Sequence, residues 1–413
     1  MNLLRSAATC AALLIAFPAH AAPDEDLLGK AQGYPRGAGA PLPSHLVAQD
    51  QPEHLVDSFS GGLEKRVPSR IVRKAAQAAP LPRGPAEPPF SYLHDGRRLG
   101  IDDYLARQRV TGLLVIHDGA IVLERYQYGR DAGTRFLSAS MAKSIVGLLV
   151  GIAVEEGRIG SIDDLARTYV PALAGNPYGE TSIRDLLQMS SGIRFTEQYD
   201  GRDDLGTLIA DTIGHRSAGG AAVLLPYRER RVQAGRLFHY SSADTQALGL
   251  VLRGATGMPV ADYLASRIWQ PMGAQDDASF LVDAAGQEAT FAFLHATLQD
   301  FGRLGLLLAD GGRANGRQLV PSAWVQEATT STRPHVQPTI ASSYFGYGYQ
   351  FWTFPGSKRR FALIGVRGQV IFVDPELRLV LVQTAVWKTA GDRMARAELL
   401  ALWRGVVEQY GAW

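Results

Sequence analysis

Residues 138–147 read SASMAKSIVG, and within them Ser140 and Lys143 stand three residues apart. On a helix, positions i and i+3 share a face, so a hydroxyl and an amine at this spacing come within reach of each other. The stretch from Ser140 to Glu156 holds no proline, is apolar on most faces and stops at Gly157. That pattern predicts a helix buried in the middle of a domain and ended by glycine. A serine hydroxyl is a poor nucleophile until a base takes its proton, and a lysine is such a base only where burial lowers its pKa. Met141, Ala142, Ile145 and Val146 supply the apolar setting. The lysines are only Lys30, Lys65, Lys74, Lys143, Lys358 and Lys388, the remaining basic residues being arginine, which cannot give up its proton in a protein. Taken alone, the tetrad is more often a serine capping a helix with a lysine reaching to solvent, so its surroundings decide.

Just before it, GLLVIHDGAIVLERY (112–126) gives two β-rich runs, Gly112 to His117 and Ala120 to Tyr126, joined by Asp118-Gly119. Asp-Gly accepts the positive φ angles of a tight hairpin, so the runs form an antiparallel pair. Residues 162–316 are mostly helical in pattern: Ile183 to Met189, Ala243 to Thr256, Val260 to Trp269 and Thr297 to Asp310. Strand character returns in YGYQFWTF, FALIG, QVIFV and LRLVLVQTAV, and an amphipathic helix from about Arg393 to Tyr410 closes the sequence. Strands at both ends with helices between them predict an α+β fold. One antiparallel sheet draws on about 96–135 and 340–390, and a helical region occupies about 140–315.

Ahead of this domain, residues 22–95 are rich in Pro, Gly and Ala, as in AQGYPRGAGAPLPSH and AAPLPRGPAEPP, and show no sustained periodicity. They read as an extended arm or linker, with patches such as Leu55 to Phe59 able to pin it to the domain. Residues 1–21 carry Arg5, an apolar run from Ala7 to Phe17, and Ala19-His20-Ala21, the form of a cleavable export signal. The run is too short to span a bilayer and Pro18 ends it, so no stable membrane insertion of the mature chain is expected. Export predicts a periplasmic or secreted location. The only cysteine, Cys10, lies in this segment, which excludes thiol nucleophiles and disulfides from the mature chain. The net charge of +2 falls to +1 without Arg5, a balance that does not predict nucleic-acid binding. There is no phosphate loop, no H-E-x-x-H, and no ligand spacing among the histidines, so no metal or cofactor is implied. Asp102-Asp103, Asp163-Asp164 and Asp203-Asp204 read as helix N-termini or solvated turns.

Two further stretches carry candidate chemistry. GRLFHYSSADTQALGLVL (235–252) sets Tyr240 and Ser242 on a turn at the start of an apolar helix, where a phenol can relay protons. By itself it reads more readily as a core tyrosine and an N-capping serine. FALIGVRGQVIFVDPE (361–376) is a strand whose Gly365 and Gly368 permit close approach of backbone. An edge there offers an amide to a carbonyl oxygen, as acyl transfer requires; a plain hairpin fits the same residues.

The order SMAK, YSS, then GQVIFVDPE, with LLQMSSGI between the first two, resembles the penicillin-binding-protein and class C β-lactamase superfamily of serine hydrolases. It is similar above all to the 6-aminohexanoate-dimer hydrolase and carboxylesterase branch, and the resemblance spans roughly Gly112 to Ala385. It implies the β-lactamase/DD-peptidase-like fold and an acyl-enzyme on Ser140. Lys143 and Tyr240 would be the proton-transfer pair, their order left open. Ser242 would stand where many relatives carry asparagine, and Tyr199, in SSGIRFTEQYDGRDD, where a loop tyrosine assists substrate binding in the nylon-oligomer enzymes. Relatives carry Lys-Thr-Gly or His-x-Gly on the last strand; the match puts Arg360-Phe361-Ala362 there and assigns the second oxyanion amide to Leu363. Losing that lysine and hydroxyl argues against β-lactam hydrolysis. The implied partner is a small molecule with an ester or amide carbonyl. The alternatives are a D-amino-acid peptidase or carboxypeptidase on cell-wall peptides and a non-catalytic acyl-ligand sensor.

Overall fold

The computed structural model describes residues 28, 33–37, 39, 51–214 and 219–413. The export signal read in residues 1–21, with Cys10, lies outside the described residues.

The main sheet has seven strands: β1 (Val110–His117), β2 (Ala120–Tyr126), β3 (Gly346–Tyr347), β4 (Trp352–Thr353), β5 (Phe361–Ile364), β6 (Val370–Asp374) and β7 (Leu379–Ala385). Their order is β3-β4-β5-β6-β7-β1-β2, antiparallel throughout. The two ends of the sequence meet where β7 pairs with β1, Val380 opposite Ile116. Asp118 and Gly119 take φ of 49° and 82°, the conformation that the Asp-Gly turn predicts.

Four long helices matter for the site: α1 (Met141–Glu155), α2 (Ser242–Thr256), α3 (Leu298–Ala309) and α4 (Arg393–Tyr410). Both faces of the sheet are covered, which explains why its strands read as continuous apolar runs. Leu114, Ile371 and Val382 face the core that contains α1 and α3. Val115, Phe372 and Leu381 face α4, where Trp403 is fully buried. Each such large side chain contributes about 1.5–3 kcal/mol by leaving water.

Three sequence expectations change. The main sheet draws on residues 110–126 and not on about 96–135: Arg97–Gly100 pairs only with Ser91–His94 in a separate hairpin, and Arg135–Leu137 joins a second, four-stranded sheet with Ser69–Val72, Ala278–Leu281 and Leu294–Thr297. Two of those strands fall inside the stretch read as mostly helical; each is four residues long and buried on both faces, so neither shows a period of two. The helix expected over Val260 to Trp269 is α-helical to Leu264 and continues in wider turns to Trp269. The arm is pinned at the patch the sequence suggested, Leu55, Val56 and Phe59 belonging to the main core, and it also contributes Ser69–Val72, which pairs with Ala278–Leu281.

Candidate active site

Ser140 occupies the turn that feeds α1. The residue before it, Ala139, has φ of 44°, a left-handed conformation that costs an L-residue roughly 1–2 kcal/mol. The bend sets the Ser140 side chain at the wall of a cavity of about 70 Å³. One turn along α1, Lys143 is 1% exposed. Its Nζ stands 3.1 Å from Ser140 Oγ, 3.0 Å from Ser242 Oγ and 2.6 Å from the carbonyl oxygen of Phe291. Burial pulls the amine down from 10.5 to about 8, against an upward pull from Glu197.

Tyr240 comes from far along the chain. Its phenol is close enough to the Ser140 side chain for that group to influence its titration, and Lys143 Nζ lies 5.2 Å from its ring centroid. Burial first, and then the Glu197 charge, raise its pKa, so the phenol keeps its proton at neutral pH. The turn that carries it is fixed by the MSSG segment: the amide of His239 donates to Met189 O (2.7 Å) and that of Gly235 to Ser190 O (2.8 Å). Ser191 Oγ in turn donates to Asp244 at 2.8 Å, joining that segment to α2; burial lifts Asp244 to about 7. Trp352 stacks on the Tyr240 ring at 5.5 Å.

The structure thus brings Ser140, Lys143, Tyr240 and Ser242 together. It adds Glu197, which sequence reasoning passed over. Glu197 accepts hydrogen bonds from the Ser242 amide (2.8 Å), the Ser242 hydroxyl (3.1 Å) and the Tyr199 hydroxyl (2.8 Å). Tyr199 is 39% exposed and lines the same cavity, with its hydroxyl held by Glu197. The loop is anchored by Asp203, which accepts the amides of Tyr199 (3.0 Å) and Gly206 (2.8 Å), the latter as helix cap. Tyr199 is expected from the family resemblance, whereas nothing in the sequence points to Glu197.

Leu363 is not brought to the site. It lies inside β5 opposite Ile371, fully buried in the core, and does not line the cavity. Arg360 is equally remote in role: it donates to Asp374 and to Ala412 O, and its guanidinium sits 4.7 Å from the Trp413 ring centroid, fastening the C-terminus. The strand instead reaches the serine at Gly365, where an added Cβ would fall 2.8 Å from Ser138 O and 3.0 Å from Ser140 N. The next residue, Val366, lines the cavity. The displacement arises because the glycine that allows contact, not the basic residue, fixes the match. Among the described residues, no group of three or more His, Cys, Asp or Glu is placed to hold a metal ion.

A seven-stranded antiparallel sheet covered by helices, with serine and lysine at the start of one central helix, defines a hydrolase of the β-lactamase and penicillin-binding-protein fold. The chain belongs to the beta-lactamase family, whose model matches residues 100–402. It is 28% identical over 332 residues to the 6-aminohexanoate-dimer hydrolase of Paenarthrobacter ureafaciens, covering 78% of this chain and 84% of that protein. Its fold is similar to that of a candidate 6-aminohexanoate-dimer hydrolase from Bacillus anthracis, with a TM-score of 0.79, 22% identity, and coverage of 89% and 96% of the two chains. A family VIII carboxylesterase gives a TM-score of 0.55, with 17% identity over 72% of this chain and 93% of that one.

Proposed function

We propose that this hydrolase cleaves an ester or amide bond of a small substrate through an acyl-enzyme on Ser140. The observation that carries the reading is the buried Lys143 amine, 3.1 Å from Ser140 Oγ with its pKa brought to about 8. Ser140 Oγ attacks the carbonyl carbon while its proton passes to Lys143 Nζ. The carbonyl oxygen takes the negative charge and is held by the amides of Ser140 and Val366. As the tetrahedral adduct collapses, the leaving group takes a proton from Lys143, relayed by Tyr240. Water then attacks the acyl carbonyl, gives its proton back along the same path, and releases the acid. Lys143 acts as the first base because Tyr240, with its raised pKa, is a neutral phenol and has no anion to offer. Tyr199 and Glu197 form the substrate-facing rim. The Paenarthrobacter relative is named a 6-aminohexanoate-dimer hydrolase and one fold neighbour a family VIII carboxylesterase, names that agree with this substrate class.

A cell-wall carboxypeptidase requires a cation for the terminal carboxylate of its substrate. Among the described residues lining the cavity there is none, and Glu197 adds a negative charge. A sensor that stops at a stable acyl adduct would use the same Ser140 and Lys143, so release of the acid is the outcome that separates it from the enzyme. Export to the periplasm or medium, directed by residues 1–21, belongs to the same proposal.

The test compares wild type and Ser140→Ala on p-nitrophenyl esters and linear amides, with intact-mass detection of an acyl adduct mapped to the Ser140 peptide. Wild type turns over and acylates there, whereas the variant does neither; unchanged turnover in the variant overturns the proposal.

A further inference from the structure

We infer that the segment around Phe59 forms a wall of the substrate cavity and sets the size of the apolar group accepted beside Ser140, an inference that rests on the hydrolase reading above. Phe59 is 3% exposed and lines the cavity that also contains Ser140, Glu197, Tyr199 and Val366. It belongs to a stretch that sequence composition alone reads as an arm, and it lies outside the residues 100–402 matched to the family.

The wall is anchored. Asp57 accepts from the Arg130 guanidinium and from the amide of Arg36 (2.9 Å), and Arg130 Nε donates to Ser60 Oγ at 2.7 Å. The Arg130 and Asp57 side chains are 1% and 2% exposed; a buried pair of this kind is costly to break from one side, so the segment stays seated. Glu64 pairs with Arg135 at 3.1 Å. Arg135 begins the strand Arg135–Leu137, against which residues 58–62 pack and which leads directly into Ser138, Ala139 and Ser140. The segment and the nucleophile are therefore referenced to the same strand.

The cavity lining is mixed. Phe59, Leu205, Ile209, Phe291 and Phe293 supply apolar lining, while Ser140, Ser242 and Glu197 supply polar groups linked through Lys143 and the Ser242–Glu197 hydrogen bond. With each water-sized group needing ~10–15 Å³, about 70 Å³ holds on the order of five such groups. The fitting occupant is a short, unbranched, uncharged aliphatic chain on the carbonyl compound. An anionic chain meets Glu197 and no opposing cation among the described lining residues.

The full chain is assayed as wild type, Phe59→Ala and Phe59→Trp on p-nitrophenyl acetate, butyrate, hexanoate and octanoate. One methylene in an apolar pocket changes kcat/KM by about 10–200-fold. Phe59→Ala should therefore raise the octanoate-to-acetate ratio of kcat/KM by roughly tenfold or more, chiefly through KM, and Phe59→Trp should lower the butyrate-to-acetate ratio by a similar factor. Should Phe59→Ala not fold, Phe59→Leu is read on the same panel, with a smaller shift of the same sign. Ser140-dependent turnover with ratios unchanged in the folded variants overturns this inference and leaves the hydrolase reading intact. Failure of wild type to turn over any ester or amide removes the hydrolase reading, and with it this inference.

Discussion

The Lys143 amine titrates where activity can be watched. Burial lowers it from 10.5 to about 8, which disfavours the ammonium form by roughly 3 kcal/mol. The free base dominates above the folded pKa, so the base role appears as pH rises. At pH 7 about one enzyme molecule in ten carries the neutral amine, compared with roughly three in ten thousand for an unburied lysine. Wild-type kcat/KM should climb about tenfold per pH unit below the midpoint and level off above pH ~9. Glu197 is the charge that holds the amine up. Glu197→Gln removes that pull while keeping an acceptor for Ser242, so the rising limb should move to lower pH.

The assay is kcat/KM for p-nitrophenyl acetate from pH 5.5 to 9.5, corrected for buffer hydrolysis. Lys143→Arg serves as the control without a limb, because a guanidinium retains its proton throughout. A flat wild-type profile between pH 6 and 9, or a Glu197→Gln midpoint displaced toward alkaline pH, would refute the reasoning. A lower plateau in Glu197→Gln is compatible with it, since the Ser242 amide and hydroxyl both contact this carboxylate.

Gly365→Ala places a methyl 2.8 Å from Ser138 O and 2.9 Å from Ala139 Cβ. It should push the strand end from the nucleophile and lower kcat by roughly 10²-fold, the scale of one lost oxyanion donor; wild-type kcat in a folded variant would count against the Val366 assignment. N-terminal sequencing of protein recovered from the periplasm or medium should begin at Ala22, and recovery of uncleaved chain only in the cytoplasm would contradict export.

Sequence carried the local parts of the site well. The Ser140–Lys143 spacing and the α1 span need only the helical period, and the Asp118-Gly119 hairpin needs only the turn chemistry of two residues. Tyr240 was legible through motif order, although its contact with Ser140 bridges 100 positions (240 − 140). Glu197 and Val366 were not, because each reaches the cavity through tertiary packing that leaves no period in its own segment; the Leu55 to Phe59 patch was legible as a point that pins the arm, but not as a wall of the cavity. Leu363 misled for a related reason. A basic residue near the strand start suggested the match, whereas steric contact with Ser140 selects Gly365 two positions further on (365 − 363).

The placement of Ser242 follows from counting hydrogens on one nitrogen. As a neutral amine, Lys143 has two N–H groups and one lone pair. Phe291 O and Ser242 Oγ accept the two hydrogens, at 2.6 and 3.0 Å, which leaves the lone pair for the Ser140 hydroxyl at 3.1 Å. Ser242 can accept in this way because its own hydrogen is directed to Glu197 at 3.1 Å. A hydroxyl therefore accepts from the amine and donates to the carboxylate through a single atom. Glu197 thus acts twice: it orients Ser242 so that the free base is satisfied, and its charge limits how far burial can lower the amine. On the proposed mechanism, the first effect fixes the direction of the Lys143 lone pair and the second keeps the amine at about 8 instead of lower.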